Sequence, residues 1–347
     1  MKLNRSAVLG AAVGVAVLAG GLPVQAQEVL NLYSARHYQT DDALYNGFTE
    51  KTGIEINRIE GESDALIQRL KSEGQNSPAD VFLTVDAGRV WRAEEAGLFQ
   101  PVESEVLEKA VPENLRHPDG LWFGFSTRAR LIYYDKTKIQ PGEIKTYEDL
   151  ADPKWKGKVC IRSSSNVYNQ SLLSSIIAAH GEAGAREWAQ AVVDNLARKP
   201  VGGDTDQLRG IGAGECQIAV ANSYYFVRLT TDPAEKELVD KIGWVFPNQA
   251  GPDAQGRGTH VNVSAAGVLK HAPHREAAVK FLEYLASPEA QRYFADGNNE
   301  YPVVAGIEVN PALKALGTDF KVDPVNVAVY GSNQPKAQRI FDSVGWN

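Results

Sequence analysis

Cysteine and long apolar segments are both scarce in this chain. Of its 347 residues only Cys160 and Cys216 are cysteines, and no apolar run after residue 26 is long enough to cross a bilayer. No cysteine directly follows the end of the N-terminal apolar segment at residue 26, so nothing suggests a lipid anchor. Twin arginines are absent as well. These absences predict a protein without stable membrane insertion, and they favour the general secretion route over the twin-arginine route for its export.

Familiar enzyme motifs are missing as well. The sequence has no GxSxG, HExxH or Walker motif, and no pair of nucleophile and base can be recognised. Five histidines show no metal-ligand spacing among themselves: His117, His180, His260, His271 and His274. We therefore expect a protein that is not an enzyme. An exported enzyme with a tyrosine-centred or metal-assisted site remains a rival.

Residues 1–26 have the pattern of a secretory signal peptide. Lys2 and Arg5 flank the start of the apolar segment AVLGAAVGVAVLAGGL, and the small-residue site VQA ends at Ala26. Removal of this segment would lower the formal net charge from −7 to −9, because it carries two basic residues and no acidic one. An acidic protein is a poor nucleic-acid binder. We expect a periplasmic protein, in a bacterium with a Gram-negative-type envelope, that has no nucleic-acid partner.

The two cysteines are expected to form a disulfide. In an oxidising compartment an isolated pair is joined more often than it is free. Two thiolates without a neighbouring His or Cys would be an incomplete ligand set, which makes a metal site on Cys160 and Cys216 the weaker alternative. A single disulfide that closes this loop would stabilise the fold by about 4 kcal/mol in the chain-entropy model.

Short strands and amphipathic helices alternate along the chain. The strand candidates EVLNLYS, IEINRIEG and ADVFLTVD are each followed by a helix candidate, namely QTDDALYNGFTEKTG, SDALIQRLKSEG and GRVWRAEEAG. A second unit runs from GKVCIRSSS through the helices NQSLLSSIIAAHG and GAREWAQAVVDNLA to the strand CQIAVANS. Extended passages at 121–136 and 256–269 are expected to cross between the units. This plan is typical of hinged two-lobed α/β proteins that close around a solute.

Four tyrosines follow strand candidates at equivalent positions in the two units. Tyr38 follows EVLNLYS, Tyr168 follows KVCIR, and the tandem pair Tyr224 and Tyr225 follows QIAVA. In open α/β sheets ligands bind beyond the carboxyl ends of the strands. The four phenols are therefore expected to lie at one site.

An alternative places the tandem pair on a sheet surface, with one ring on each face, because successive strand side chains alternate. A helix that begins at this point, capped by Asn222 or Ser223, would remove that constraint. Five other tyrosines serve as controls, because their positions predict packing in the core: Tyr33, Tyr45, Tyr133, Tyr134 and Tyr284.

Clustered phenols indicate a hard and strongly acidic metal ion. A free phenol has a pKa of about 10, so four of them carry no charge at neutral pH unless a Lewis acid displaces their protons. Ferric iron is small and trivalent, and it prefers oxygen ligands. Four phenolates on Fe(III) leave one net negative charge, which Arg128 or Arg228 could offset from the second coordination sphere.

Five segments resemble one known family: YSARHYQTD, PADVFLTVD, LADPKWKGKV, NSYYF and LASPEAQRYFA. They are similar to segments of the periplasmic ferric-iron-binding proteins of bacterial iron ABC transporters, particularly of the cyanobacterial-type branch. The resemblance covers essentially the whole chain after residue 26. Its most specific element is the tandem tyrosine with Tyr168 upstream, whereas SPEAQ occurs in many solute-binding proteins.

The resemblance implies a two-lobed α/β fold of the type II periplasmic-binding-protein class, a hinged clamp whose mixed sheets are covered by helices. It assigns Tyr38, Tyr168, Tyr224 and Tyr225 as iron ligands, with His37 as a candidate additional ligand. The implied cargo is Fe(III), with Fe(II) as a second candidate, and the tyrosine at position 38 favours the branch that requires no exogenous anion. The implied partners are an ABC permease and its ATPase, and a monomer is expected.

We expect lobe 1 to comprise residues 27–127 and 252–302, and lobe 2 to comprise residues 128–251 and 303–347. A rival function is that of a solute-binding protein for a small organic ion of the polyamine, thiamine or sulfate type, in which the tyrosines would stack on the ligand. Stacking on a cation usually requires carboxylates as well, and Asp86 is the only obvious acidic residue at a strand end. Visible absorption on addition of Fe(III) would distinguish the two functions.

Overall fold

The computed structural model describes residues 28–36, 38 and 40–347. Two sequence predictions, the signal peptide and the role of His37, lie outside these residues. The strands of the described residues are β1 (Val29–Ser34), β2 (Glu55–Glu60), β3 (Val81–Val85), β4 (Phe123–Asp135), β5 (Val159–Cys160), β6 (Ile218–Asn222), β7 (Ile242–Val245), β8 (Val261–Val268) and β9 (Tyr301–Pro302).

Helices separate most of these strands, as the alternating sequence pattern predicts. In the described part of the chain they are α1 (Asp41–Thr52), α2 (Ser63–Glu73), α3 (Ala87–Glu95), α4 (Glu105–Ala110), α5 (Val167–Asp194), α6 (Asp204–Gly212), α7 (Ser223–Thr230), α8 (Lys236–Lys241), α9 (Arg275–Leu285), α10 (Pro288–Asn298), α11 (Pro311–Leu316), α12 (Ala328–Ser332) and α13 (Gln334–Val344). Helix α5 changes direction at Gly181, whose φ of 72° and ψ of 174° are not helical. It therefore contains the two helices that the sequence predicts there. No helix of the described residues combines the length and the apolar character needed to cross a membrane.

The strands form a mixed sheet in the order β2-β1-β3-β8-β4-β6-β5, with β7 and β9 also paired to β4. β1 runs parallel to β2 and to β3, and β5 runs parallel to β6. The pairs that involve β4 or β8 are antiparallel. Parallel neighbours require long crossovers, which the helices between these strands provide.

Strand β4 connects the two α/β units. Its residues 123–129 pair with β8, which in turn pairs with β3 of the first unit. Its residues 130–134 pair with β6 of the second unit. All 13 residues of β4 are buried, so the connection lies inside the protein. The result is the two-lobed mixed α/β architecture that the sequence predicts.

Both faces of the second unit's sheet are covered, because side chains alternate along its strands. Ile132 and Tyr134 of β4 belong to one apolar cluster, together with side chains of α5 and α13. Leu131 and Tyr133 belong to the other apolar cluster, on the opposite face. The prediction that both tyrosines of β4 are core residues is therefore confirmed.

Cys160 and Cys216 form a disulfide, as predicted. Their Cα atoms are 5.9 Å apart. Cys160 is the last residue of β5, and Cys216 lies shortly before β6, the strand that pairs with β5. The bond therefore joins the starts of the two chain segments that lead to Tyr168 and to Tyr224.

Candidate metal centre

The tandem tyrosines lie in the first turn of a helix. β6 ends at Asn222 and α7 begins at Ser223. The rings of Tyr224 and Tyr225 are in contact, with centroids 4.3 Å apart. Tyr224 is 2% exposed, and Tyr225 is half-buried. The alternative of a sheet surface with one ring on each face is wrong, because the backbone at this pair is helical.

The predicted cap of α7 is confirmed in its position but lacks the capping hydrogen bond. Asn222 occupies the N-cap position, but its side chain makes no capping hydrogen bond in the described structure. Its Oδ1 instead accepts a hydrogen bond from Arg130 Nη1 at 2.9 Å. Ser223 is already helical, and its hydroxyl has no partner among the described residues. The buried guanidinium on β4 competes successfully for the asparagine side chain.

Tyr168 lies at the start of α5 and reaches Tyr224. The Asn166 side chain caps this helix by accepting a hydrogen bond from the backbone N–H of Tyr168 at 3.0 Å. The hydroxyl of Tyr224 donates to that of Tyr168 at 3.3 Å. Two helix starts, after β5 and after β6, thus bring two phenol oxygens together at the carboxyl ends of parallel strands.

Tyr38 approaches this pair from the first unit. Two guanidinium groups lie over its ring, with Arg36 Cζ 5.0 Å and Arg228 Cζ 5.3 Å from the ring centroid. Arg228 Cζ is also 5.1 Å from the Tyr224 centroid and 6.0 Å from that of Tyr225. The Arg228 guanidinium therefore contacts the ring faces of three of the four predicted ligands. The structure brings all four predicted tyrosines together, around Arg228 and the Tyr168 hydroxyl.

A buried charge cluster adjoins the phenols. Glu300 accepts hydrogen bonds from Arg128 Nη2 at 2.7 Å and from Arg36 Nη1 at 3.1 Å, and Asp41 is a second partner of Arg36 at 3.0 Å. Arg128 Nε and Nη1 have no hydrogen-bond partner among the described residues. The Arg128 charge also interacts with the phenols of Tyr224, Tyr168 and Tyr38.

The two predicted second-sphere arginines thus occupy different surroundings. Arg128 is fully buried and paired with a carboxylate, whereas Arg228 is exposed and stacked on tyrosine rings. Sequence reasoning missed Arg36 and Glu300, which are 264 residues apart and belong to no local motif.

The protonation of the inner phenols follows from their burial. Burial raises the pKa of Tyr224 well above its usual value, the neighbouring phenols raise it further, and Arg128 opposes the rise. Burial and the phenols of Tyr225 and Tyr38 likewise raise the pKa of Tyr168, and the charge of Arg128 and the hydrogen bond from Tyr224 oppose the rise. Both hydroxyls therefore keep their protons at neutral pH unless a metal ion displaces them.

The His, Cys, Asp and Glu side chains of the described residues do not form a second candidate metal site. In the described part of the chain, no three His, Cys, Asp or Glu side chains are grouped so that they could hold a metal ion. Asp86 is fully buried, and it accepts hydrogen bonds from Ser171 Oγ at 2.6 Å and from Asn262 Nδ2 at 2.8 Å. The carboxylate considered for an organic cation is thus already engaged within the protein.

A groove of about 720 Å³ lies outside the group of four predicted tyrosine ligands. Its wall is mostly apolar and includes Leu115, Val261, Tyr301, Ile307 and Phe320. None of the four predicted ligands lines it. A metal ion requires converging donor atoms rather than volume, so the phenol cluster is the candidate site.

The fold, with phenols contributed by both units, defines a two-lobed solute-binding protein of the type II periplasmic-binding-protein class. A protein of Trichodesmium, IdiA (FutA), solved in complex with iron and citrate ligands, superposes with a TM-score of 0.88 at 57% identity, covering 92% of this chain and all of that one. The ferric binding protein from Campylobacter jejuni superposes with a TM-score of 0.83 at 41% identity, covering 92% of this chain and 100% of that one. The predicted fold class is confirmed.

Residues 76–319 match the family model described as bacterial extracellular solute-binding protein, and the chain belongs to this family. Iron uptake protein A2 of Synechocystis sp. is 53% identical to it over 348 residues, which cover 99% of this chain and 98% of that relative. The resemblance identified from five sequence segments is therefore confirmed.

Proposed function

We propose that this protein captures ferric iron with Tyr38, Tyr168, Tyr224 and Tyr225 and delivers it to an ABC permease. The observation that carries the proposal is the convergence of the four phenols. The oxygens of Tyr168 and Tyr224 are 3.3 Å apart, and Arg228 lies over the rings of Tyr38, Tyr224 and Tyr225. The iron-related names of the relatives support it. The engaged carboxylate of Asp86 disfavours the rival role in binding an organic cation.

The charges of the site suit a trivalent cargo. Four phenolates around Fe(III) leave one negative charge, which Arg128 and Arg228 offset from outside the ligand set. We propose that no exogenous anion is required, because the protein itself supplies the anionic oxygens. We expect Fe(II) to bind more weakly than Fe(III), since it is a poorer Lewis acid toward phenols. His37, next to Tyr38 in the sequence, is a candidate additional ligand.

Ligands from both units would make the protein a clamp. A metal ion that bonds to both lobes favours the closed form over the open form, and only such a difference in affinity can shift the equilibrium. In the proposed division, lobe 1 comprises 27–127 and 252–302, and lobe 2 comprises 128–251 and 303–347. The protein would enter the periplasm through the signal peptide at 1–26 and act there as a monomeric carrier without catalysis. Its partners would be the permease and the ATPase of the transporter.

Titration of the purified, iron-free protein with Fe(III) tests the proposed function. We expect a phenolate-to-iron charge-transfer band in the visible spectrum that saturates at one iron per protein and survives desalting. Parallel titrations with ferric citrate and with a citrate-free ferric chelate determine whether an exogenous anion is needed. A protein that stays colourless and retains no iron would contradict the proposal and return attention to organic ions.

Ferric affinity should rise with pH by about 100-fold or more per pH unit between about pH 5 and pH 8. Burial raises the pKa of Tyr168 and of Tyr224, so both phenols are protonated over this range and iron must displace at least two protons. Competition titrations at several pH values, corrected for the protons bound by the competing chelator, measure the slope. An affinity that is independent of pH would show that these two phenols do not become ligands.

A further inference from the structure

Asp204, the first residue of α6, lies at the centre of a buried polar network in the second unit. Its side chain is fully buried. Oδ2 accepts hydrogen bonds from the backbone N–H of Asn222 at 2.8 Å and from Arg130 Nη1 at 3.1 Å. Oδ1 lies 3.6 Å from Arg162 Nη1. One carboxylate thus faces two guanidinium groups and the start of the helix that carries the tandem tyrosines.

Arg130 connects this carboxylate to both tyrosine-bearing segments of the unit. Its Nη2 donates to Oδ1 of Asn169, the residue after Tyr168, at 2.7 Å. Its Nη1 donates to Oδ1 of Asn222, two residues before Tyr224, at 2.9 Å. Asn169 Nδ2 donates in turn to the Arg162 carbonyl at 2.5 Å. The starts of α5 and α7 are therefore held to one ion pair.

We propose that Asp204 and Arg130 are positioning residues for the metal centre: they fix the spacing between Tyr168 and Tyr224, and they balance the charge next to Tyr168. This inference rests on the proposed function. The charge argument comes from Arg130 and Arg162, whose Cζ atoms lie 5.9 Å and 5.3 Å from the Tyr168 ring centroid. Without the Asp204 carboxylate, both cations would be left beside this phenol without a buried counter-charge.

Two observations separate this role from that of an ordinary buried ion pair. The hydrogen bonds of the pair end on the residue after Tyr168 and on the residue two positions before Tyr224, rather than on distant parts of the core. Asn222 also gives up the capping role that its position favours in order to accept a hydrogen bond from Arg130. Groups that orient metal ligands in this way typically contribute 10- to 100-fold to metal affinity.

The test compares the variants Asp204→Asn and Asp206→Asn. Asp206 is an exposed aspartate in the same first turn of α6. Affinity for Fe(III) is measured by citrate competition, and the visible charge-transfer band of each iron-loaded protein is recorded. We expect Asp204→Asn to weaken binding by about 10- to 100-fold and to shift the band, because the angle and distance of a phenolate change. Asp206→Asn should leave both unchanged.

Asn169→Ala provides a second route if Asp204→Asn does not fold, since it keeps both charges of the ion pair. It removes one hydrogen bond from Arg130 and those that Asn169 donates to the carbonyls of Arg162 and Ser163. It should likewise shift the band and weaken iron binding. If the wild type binds iron, and the folded variants have the same charge-transfer band and the same affinity, the positioning role alone is overturned. A wild-type protein that binds no iron would overturn the proposed function, and the positioning role with it.

Discussion

Replacement of Tyr224 by phenylalanine should lower the affinity for Fe(III) by about 100-fold or more. Structural zinc sites with four ligands bind with about 10–16 kcal/mol, or about 3 kcal/mol per ligand, and we take this as the scale for one iron ligand; each 1.4 kcal/mol is a factor of ten. The variant keeps the buried ring and loses only the hydroxyl that contacts Tyr168. Competition with citrate, followed by the visible charge-transfer band, measures the loss.

Tyr45→Phe is the matched control. Tyr45 is also buried, and the one hydrogen-bond contact of its hydroxyl among the described residues is with Ser34 at 3.5 Å. Both variants should unfold at temperatures close to that of the iron-free wild type. Iron should then stabilise the control as it does the wild type, and Tyr224→Phe much less. Equal iron binding by the two variants would exclude Tyr224 from the ligand set.

The convergence of the tyrosines could be predicted from the sequence because it depends on short-range order. Tyr38, Tyr168 and Tyr224 each lie just beyond a strand candidate, and ligands of open α/β sheets bind beyond the carboxyl ends of the strands. The core tyrosines were recognisable for the same reason, since Tyr45 and Tyr284 lie among apolar residues at helical spacing and are buried. The local sequence pattern is sufficient to predict the position of a side chain when its surroundings depend on the helix or strand that carries it.

The charged groups of the site other than Arg128 and Arg228 could not be predicted, because their partners are distant in the chain. Arg130 and Asp204 are 74 residues apart, and Arg36 and Glu300 are 264 residues apart. Asn222 occupies its predicted N-cap position without the capping hydrogen bond for this reason: its Oδ1 accepts a hydrogen bond from the buried Arg130 guanidinium of β4 instead. Strand β9 was missed because two residues carry no detectable alternation, and only pairing with β4 defines it.

The cluster of Arg36, Arg128 and Glu300 should be the most costly of these distant contacts to disturb. All three side chains are almost completely buried, and Glu300 is the carboxylate that both arginines share. Ser126 Oγ also donates to Glu300 at 2.7 Å. Removal of one charge from such a group leaves the remaining ions without compensation in a medium that solvates them poorly.

Glu300→Gln should therefore lower the free energy of unfolding of the iron-free protein at neutral pH by about 3–5 kcal/mol. Glutamine keeps the shape of the side chain but not the charge that both guanidinium groups require. Glu289→Gln is the control, because the ion pair of Glu289 in the described part of the chain is an exposed one with Lys51, and such pairs contribute about 0–1 kcal/mol. Urea unfolding of the three proteins at pH 7 measures the difference.

The pH dependence of that difference separates lost charge from altered packing. Burial alone would raise the pKa of Glu300, but Arg36 and Arg128 outweigh burial and lower the pKa to about 2. A carboxyl group with a lowered pKa stabilises the folded state above its unfolded pKa, here about 4.5, and this stabilisation is lost as the pH falls from there toward 2. The difference between wild type and Glu300→Gln should hence be constant from about pH 6 to pH 8 and shrink steadily below about pH 4.5. If packing alone were responsible, the two proteins would differ by the same free energy at every pH.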